Sequence, residues 1–478
     1  MTTRSEALSE TLPAAFPEAL PAAFAQSLRS ALRGALLAPG DPGYEEARVV
    51  YNAMIQRRPG AIAQVADVGD IIACVNAARA AGVMVAVRGG GHNAGGLGVV
   101  DGGLVIDLRR LRGIRVDPRA RTVRVEGGAT WGDVDHATHP FGLATPCGFI
   151  STTGVGGLTL GGGSGYLTRS CGLTIDNLIS ADVVLADGNL VTASADEHSD
   201  LFWALRGGGG NFGIVTSFLF RAHPVSTVVG GPTFWALEQT EDVLRRFQDL
   251  IERAPEELGG FFAFTTVPPV PPFPEALHGR KVAAVVWCYN GKKDAFDRIV
   301  EPLVSAVPPL LHAPHDLPFP ALQTFFDPLY PAGLQWYWRA DFMGKLSDDA
   351  IREHARLGAT LPTPHSTMHL YPLNGAAARV GAGDTAYRHR DALWSQVIVG
   401  VDPDPAKADE LRKWTVGYYD ALHPYSTGAA YVNFMMDDEG EDRIRRTYGA
   451  NYKRLAQIKR RYDPNNFFRV NQNIQPAG

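Results

Sequence analysis

The sequence predicts an α+β protein with a glycine-loop domain followed by a second α+β domain on an antiparallel sheet. Three observations predict it. In the first half, strand-like runs lead repeatedly into clustered glycines, and the chain holds 52 glycines in 478 residues. Near residue 224 the composition turns towards proline and aromatic residues, as in residues 267–273 and Trp336-Tyr337-Trp338. Beyond that point strand-like runs such as 282–287 alternate with helical patterns such as 348–357.

The elements follow in order. Residues 1–44 are rich in alanine and leucine but broken by Glu6, Glu10, Glu18 and prolines. They read as a loosely packed extension. No run there suits a signal segment, and none in the chain suits a membrane span, so a cytoplasmic protein is expected. A short strand is expected over 61–65, a helix over 68–80 and a buried strand over 83–87. Strands over 104–108 and 122–126 precede a helix over 131–139. The tract 154–165 carries so many glycines that no helix is expected there, since each costs about 1 kcal/mol. A strand over 181–186 ends in the Asp187-Gly188 turn, a short helix covers 201–205, and a strand returns over 214–220. A helix over 441–462 ends at Asp463-Pro464. The expected division is 1–44, 45–225, 226–424 and a distinctive tail, 425–478.

Composition excludes several function classes. The net charge of −5 offers no basic footprint for nucleic acid. The four cysteines (Cys74, Cys147, Cys171, Cys288) are scattered, which argues against a disulfide scaffold, and no His/Cys cluster suggests a metal.

The chemistry lies in the loops. Arg88-Gly89-Gly90-Gly91-His92-Asn93 follows a strand. Three glycines let backbone approach a ligand closely, and His92 offers an imidazole to it. A second loop spans 152–165 and a third 206–213. Three loops in one half fit a single extended cofactor. The Gly-x-Gly-x-x-Gly spacing of a dinucleotide-binding βαβ unit is absent in the second and fortuitous in the third.

These loops, with Gly172–Asn177, Leu201–Val215 and the terminal Tyr462–Arg469 and Gln472-Asn473-Ile474, resemble FAD-linked oxidases of the berberine-bridge-enzyme-like and 6-hydroxy-D-nicotine-oxidase kind. Those belong to the vanillyl-alcohol-oxidase, or PCMH, superfamily. The resemblance implies a PCMH-type FAD-binding domain of two α/β subdomains, a substrate domain, and a C-terminal segment that returns to the cofactor. It implies a bond from His92 to the flavin 8α carbon. Relatives with a second, cysteinyl bond carry Cys-Pro where this chain has Ile150-Ser151, and Cys147 lies three residues early. A single bond is therefore expected, with Cys147 a small buried hydrophobe.

The resemblance further implies cofactor contacts from Arg88 to Asn93 and from Thr152, Thr153, Gly154, Gly156, Gly157 and Gly162. Asp176 and Asn177 would follow, with turn capping the alternative for Asp176. Gly213, Ile214 and Val215 would hold the far side, and Asn471 and Gln472 would close it. Tyr431, in a Tyr-x-Asn segment, is the expected base. A phenol with a pKa near 10 needs help at neutral pH, and Arg339, His369 and Tyr371 are the candidates, ahead of Arg379. Alternation in Thr367-Met368-His369-Leu370-Tyr371 puts His369 and Tyr371 on one face. Gln335, Trp336, Trp338, Met368, Tyr371 and Trp394 are expected to line an aromatic pocket. The reading is an oxidase acting on a CH–OH or CH–NH group of a ring-containing small molecule, with O2 as acceptor. The alternatives are a flavin dehydrogenase or oxidative cyclase using another acceptor, and a flavin-binding protein without turnover.

Overall fold

The computed structural model describes residues 20–478, so Glu6, Glu10 and Glu18 lie outside the described residues. The expected α+β architecture is present, in three sheets that matter for the site. The first runs in the order Ala35–Leu37, Ala61–Gln64, Leu104–Asp107, Val85–Arg88, and its last three strands are parallel. Their apolar residues are continuous because both faces are covered. The helix Val68–Ala81 starts at Asp67, whose side chain accepts from the Asp70 amide, and stops at Gly82, which has φ 66°. Its Ile71, Cys74, Val75 and Ala78 recur at helical spacing and are buried on this sheet.

The N-terminal segment departs from the loose extension expected. The helix Ala22–Ala31 buries Leu28 in the same core, and Ala35–Leu37 forms an antiparallel edge strand on Ala61–Gln64. Leu20, Leu28 and Leu36 supply the apolar surface that holds it.

The second sheet is antiparallel, in the order Ile114–Asp117, Thr122–Glu126, Ile214–Arg221, Leu178–Val184, Leu190–Ser194. The helix Trp131–Thr138 beside it opens with a reciprocal Thr130/Asp133 capping box. Two expectations fail in this half and the tail. The glycine tract does hold a helix, Val155–Gly161. Packing overrides propensity there: a Cβ at Gly161 would fall 2.0 Å from Asn433 Oδ1, so only glycine lets the segments meet. The long C-terminal helix is split into Gly440–Tyr448 and Tyr452–Tyr462 around Gly449, whose φ is 49°.

The third sheet has eight antiparallel strands. Its centre runs Lys281–Tyr289, Leu258–Thr266, Thr367–Pro372, Trp394–Asp402, Gln335–Met343. One face packs on helices Thr240–Arg253, Lys293–Ala306, Asp348–Gly358 and Ala408–Leu422 through Phe262, Trp287, Met368, Leu370 and Trp394. The alternate residues Phe261, Tyr371, Val397 and Val399 face the other way, towards the first half of the chain.

One buried group makes stability pH-dependent. Asp135 is 2% exposed and both carboxyl oxygens lack a hydrogen-bond partner among the described residues. Burial raises its pKa to about 7. Because the folded value is raised, its contribution is present below about pH 4 and is lost as pH rises through 7. Asp135→Asn is expected to stabilise the protein progressively more from pH 4 to pH 8, by up to roughly 4 kcal/mol. Denaturant midpoints at both pH values measure it; an equal shift at the two would refute the assignment.

Candidate active site

A cavity of about 360 Å³ lies between the glycine loops and the third sheet. Its first wall is built by the end of the parallel sheet. Arg88 and Asp107 sit in register on adjacent strands and form a buried ion pair at 2.7 Å. That pair fixes the strand end from which Gly89, Gly90, Gly91, His92 and Asn93 leave, and all of them line the cavity. Gly90 packs against Gly154, where a Cβ on either would lie within 2.5 Å of the other's backbone. The first and second loops are therefore locked together by the absence of side chains.

His92 is held on two sides. Its ring stacks on Tyr51 with centroids 3.9 Å apart and planes at 20°. Its Nε2 is 3.0 Å from Thr152 Oγ1. Burial lowers its pKa to about 4, so the imidazole is neutral at pH 7.

Thr153, Gly154, Gly156 and Gly157 continue the wall at the start of Val155–Gly161, where the first N–H groups have no intrahelical acceptor. Gly213, Ile214 and Val215 line the far side, and Asn471 and Gln472 close it from the tail. The tail is pinned by Asn211, whose Oδ1 accepts from Ile474 N at 2.9 Å, and by Asn471 Nδ2, which donates to Gly210 O at 3.2 Å. Gln472 Nε2 donates to Met436 O at 2.9 Å.

This half fits FAD. Gly157 and Gly210 line the cavity, and a Cβ at either would meet no protein atom within 4 Å, so backbone borders open space. Ser164 Oγ and Asn471 Oδ1, also in the lining residues, are buried without a partner among the described residues. Polar atoms of this kind suit a polar ligand.

The opposite wall is aromatic. Trp336 and Trp338 line it as expected, joined by Phe149, Phe261, Phe326 and Tyr330, which the sequence did not single out. Phe149 stacks on Tyr371 at 4.2 Å, and Phe434 lies 6.0 Å from Tyr371 and 5.0 Å from Tyr431. Arg88 is the sole charged residue of the lining among the described residues, and Asp107 neutralises it.

Polar chemistry concentrates at three residues. Tyr431 Oη accepts from Gly163 N and from Asn433 Nδ2, both at 2.7 Å. Burial still pushes its pKa up to about 12, while the Gly163, Asn433 and Ser164 donors pull it down. Tyr371 and His369 sit side by side, with Tyr371 Oη hydrogen-bonded to His369 Nδ1. His369 Nε2 meets Thr367 Oγ1 at 2.8 Å, and Thr367 Oγ1 donates to Phe264 O at 2.7 Å.

Several expected residues lie elsewhere. Met368 and Trp394 belong to the helix-facing core, because strand alternation sends them opposite to Thr367, His369 and Tyr371. Gln335 is buried but off the cavity, out of phase with Trp336 and Trp338. Asp176 caps a turn through the Leu173 amide at 2.9 Å and pairs with Arg390 at 2.8 Å. Asn177 donates to Cys171 O and Leu173 O, at 2.8 and 3.0 Å. Neither reaches the cavity, since short polar side chains in turns satisfy nearby backbone first. Thr152 touches His92 rather than the cavity. Gly162, with φ 134°, makes room for Tyr431 and Tyr387, whose rings would lie about 3 Å from a Cβ there. The cationic helper expected for Tyr431 is replaced by N–H donors. Arg339 pairs with Asp438 at 2.9 Å, and Arg379 pairs with Glu256.

Known proteins share both the loops and the fold. The FAD binding domain family matches residues 59–194, and the berberine and berberine-like family matches 430–475. The uncharacterized FAD-linked oxidoreductase YgaK of Bacillus subtilis (strain 168) is 33% identical over 454 residues, covering 93% of this chain and 97% of that protein. (R)-6-hydroxynicotine oxidase of Paenarthrobacter nicotinovorans is 28% identical over 471 residues, covering 94% and 98%. The solved structure of wild-type BBE-like 1 from Physcomitrella patens superposes with a TM-score of 0.85 at 25% identity, covering 95% of this chain and 99% of that one. The glycine cradle, the aromatic wall and these full-length matches agree: the chain is an enzyme of the berberine-bridge-enzyme-like FAD-linked oxidoreductases, within the PCMH superfamily.

Proposed function

We propose that the protein is an FAD-dependent oxidase that takes a hydride from a CH–OH or CH–NH group of a neutral, ring-containing small molecule and uses O2 as electron acceptor. One observation carries this reading. A single cavity joins the glycine loops and His92 to a wall of aromatic rings bearing Tyr431, Tyr371 and His369. FAD, when bound, supplies the hydride acceptor. The chain binds, orients and handles protons. Flat apolar rings and the lack of an uncompensated charge favour an uncharged aromatic substrate over a charged acid.

Attachment through His92 alone belongs to this reading. With Nε2 engaged by Thr152, Nδ1 is the nitrogen left to form a bond. A neutral imidazole is a competent nucleophile. Cys147 is 2% exposed and outside the lining residues, its Sγ accepts from Gln323 Nε2 at 2.7 Å, and burial holds its thiol well above the ordinary pKa. A buried thiol without thiolate character is inert.

The test mixes anaerobic holoenzyme with a panel of neutral aryl alcohols, amines and oligosaccharides while flavin absorbance is followed. An aryl alcohol or amine is expected to bleach the flavin, and air is expected to restore it with one H2O2 per turnover. Bleaching that persists in air but reverses with a quinone would replace the oxidase by a dehydrogenase. Bleaching by dithionite alone would point to a flavin-binding protein without turnover.

A further inference from the structure

We propose that Tyr371 and His369 form the proton-accepting dyad of this site, and that Tyr431 is instead a fixed hydrogen-bond donor facing the same cavity. The proposal rests on the oxidase reading above and assigns roles within it.

Donor and acceptor counting carries the argument. A carbonyl cannot donate, so the single proton of Thr367 Oγ1 points to Phe264 O, 2.7 Å away. Thr367 Oγ1 must then accept from His369 Nε2, at 2.8 Å. His369 is thereby fixed as the Nε2–H tautomer, with the lone pair on Nδ1. The partner of Nδ1 is Tyr371 Oη, which must donate. The Tyr371 proton is thus turned into the sheet, and its free lone pair is left to accept a substrate O–H.

The counting runs the other way at Tyr431. Its oxygen already accepts two N–H groups at 2.7 Å, from Gly163 and Asn433. Both lone pairs are occupied, so the neutral phenol can only donate. It could accept a proton only as phenolate, and burial pushes its pKa up to about 12. Burial keeps His369 neutral and disfavours the phenolate of Tyr371 as it does that of Tyr431, so the two tyrosines are told apart by their lone pairs and not by their acidity. The groups around it are Thr367 and Tyr371 on its strand and Phe261, 4.9 Å away on the next. Tyr330 raises the pKa of Tyr371, and the Thr367 hydroxyl lowers that of Tyr330. The carboxylate of Asp327 is turned to Ser151 N, at 3.2 Å.

The step balances. Tyr371 Oη receives the substrate hydroxyl proton and passes its own to His369 Nδ1, while the C–H hydride leaves to the flavin. O2 recovers both electrons on reoxidation. The hydride-derived proton and the one held by His369 complete H2O2. Tyr371 touches the substrate; His369 acts through it, as a positioning and relay residue.

Two measurements decide the matter. In ¹⁵N-histidine-labelled holoenzyme, with His369→Gln used for assignment, His369 is expected to show the Nε2–H tautomer unchanged from pH 5 to pH 9. An Nδ1–H tautomer, or titration near 6.5, overturns the dyad whether or not a substrate is known. In anaerobic single turnover with the aryl alcohol that bleaches fastest in the panel, the reduction rate is expected to be flat over the same range. Tyr371→Phe, which keeps the ring, is expected to lose about 100-fold or more in rate with little change in apparent substrate affinity. His369→Gln should lose rate likewise, while Tyr431→Phe slows reduction but keeps the flat profile. A rate rising tenfold per pH unit towards pH 10, abolished by Tyr431→Phe and kept in Tyr371→Phe, returns the base to Tyr431. If no panel member bleaches the flavin, the oxidase reading fails, while the tautomer still decides the dyad.

Discussion

His92→Ala is expected to carry no covalently attached flavin: acid precipitation should release its entire chromophore, while the wild-type pellet stays yellow. The expectation is that large because the proposed attachment rests on one side chain, His92, with Cys147 outside the cavity lining. The loop is set by Gly90 packing on Gly154 and by the Arg88–Asp107 pair, neither of which involves the imidazole. Alanine at 92 therefore removes the nucleophile and leaves the cradle, so the variant should still bind FAD reversibly. Thr152→Ala tests orientation. It removes the hydroxyl partner of Nε2 while leaving the Thr152 backbone and the stack on Tyr51, and attachment should slow rather than vanish. Cys147→Ala should change nothing in the linkage, because that thiol lies outside the cavity lining. Peptide mapping reads all three variants. Flavin still bonded in His92→Ala, or found on the peptide containing Cys147, would overturn single attachment through His92.

What was legible in the sequence follows from how local each signal is. Clustered glycines after strands announce a cradle because the missing Cβ is itself the signal, and the loops around Gly90, Gly154 and Gly213 do border the cavity. His369 and Tyr371 could be placed on one face because alternation is a two-residue rule. The same rule would have removed Met368 from the pocket, and Trp394 follows once the register pairs it with Pro372. The helix Val155–Gly161 was hidden because Gly161 is required by contact with Asn433 and Gly156 packs on Gly127, both outside the helix. Asn433 stood in plain view inside Tyr-x-Asn, but the second donor to Tyr431 Oη, Gly163 N, is 268 residues from Tyr431. Tyr51, Phe149 and Phe326 reach the site from irregular segments that carry no periodicity. Nothing local distinguishes such residues from ordinary core.

Lys459→Met should be the most destabilising surface-neutral change in the C-terminal module, because Lys459 ties three segments together from a fully buried position. It is 0% exposed, as is Asp463, and its ammonium donates to Asp463 Oδ2 at 2.6 Å, Asn211 O at 2.7 Å and Phe468 O at 2.8 Å. The Asp463 carboxylate also accepts the Phe467 and Phe468 amides, at 2.7 and 2.8 Å. Burial pulls the lysine pKa down, and Asp463 opposes that pull. Methionine fills the volume but strands a buried carboxylate and two carbonyls, at a cost of about 3–5 kcal/mol. The pair Arg461–Asp200 provides the internal comparison. Arg461 is on the same helix as Lys459 and meets Asp200 of the helix Ser199–Leu205 at 2.9 Å, but its side chain is 65% exposed, so Arg461→Ala should cost under about 1 kcal/mol. The consequence extends to the cofactor, since Asn211 and Asn471 hold the tail against the third glycine loop. Lys459→Met combined with His92→Ala should therefore bind FAD more weakly than His92→Ala alone, which equilibrium dialysis measures. Equal FAD affinity in the two, with a denaturant midpoint for Lys459→Met no lower than for Arg461→Ala, would mean that the buried ammonium does not anchor the segment closing the cavity.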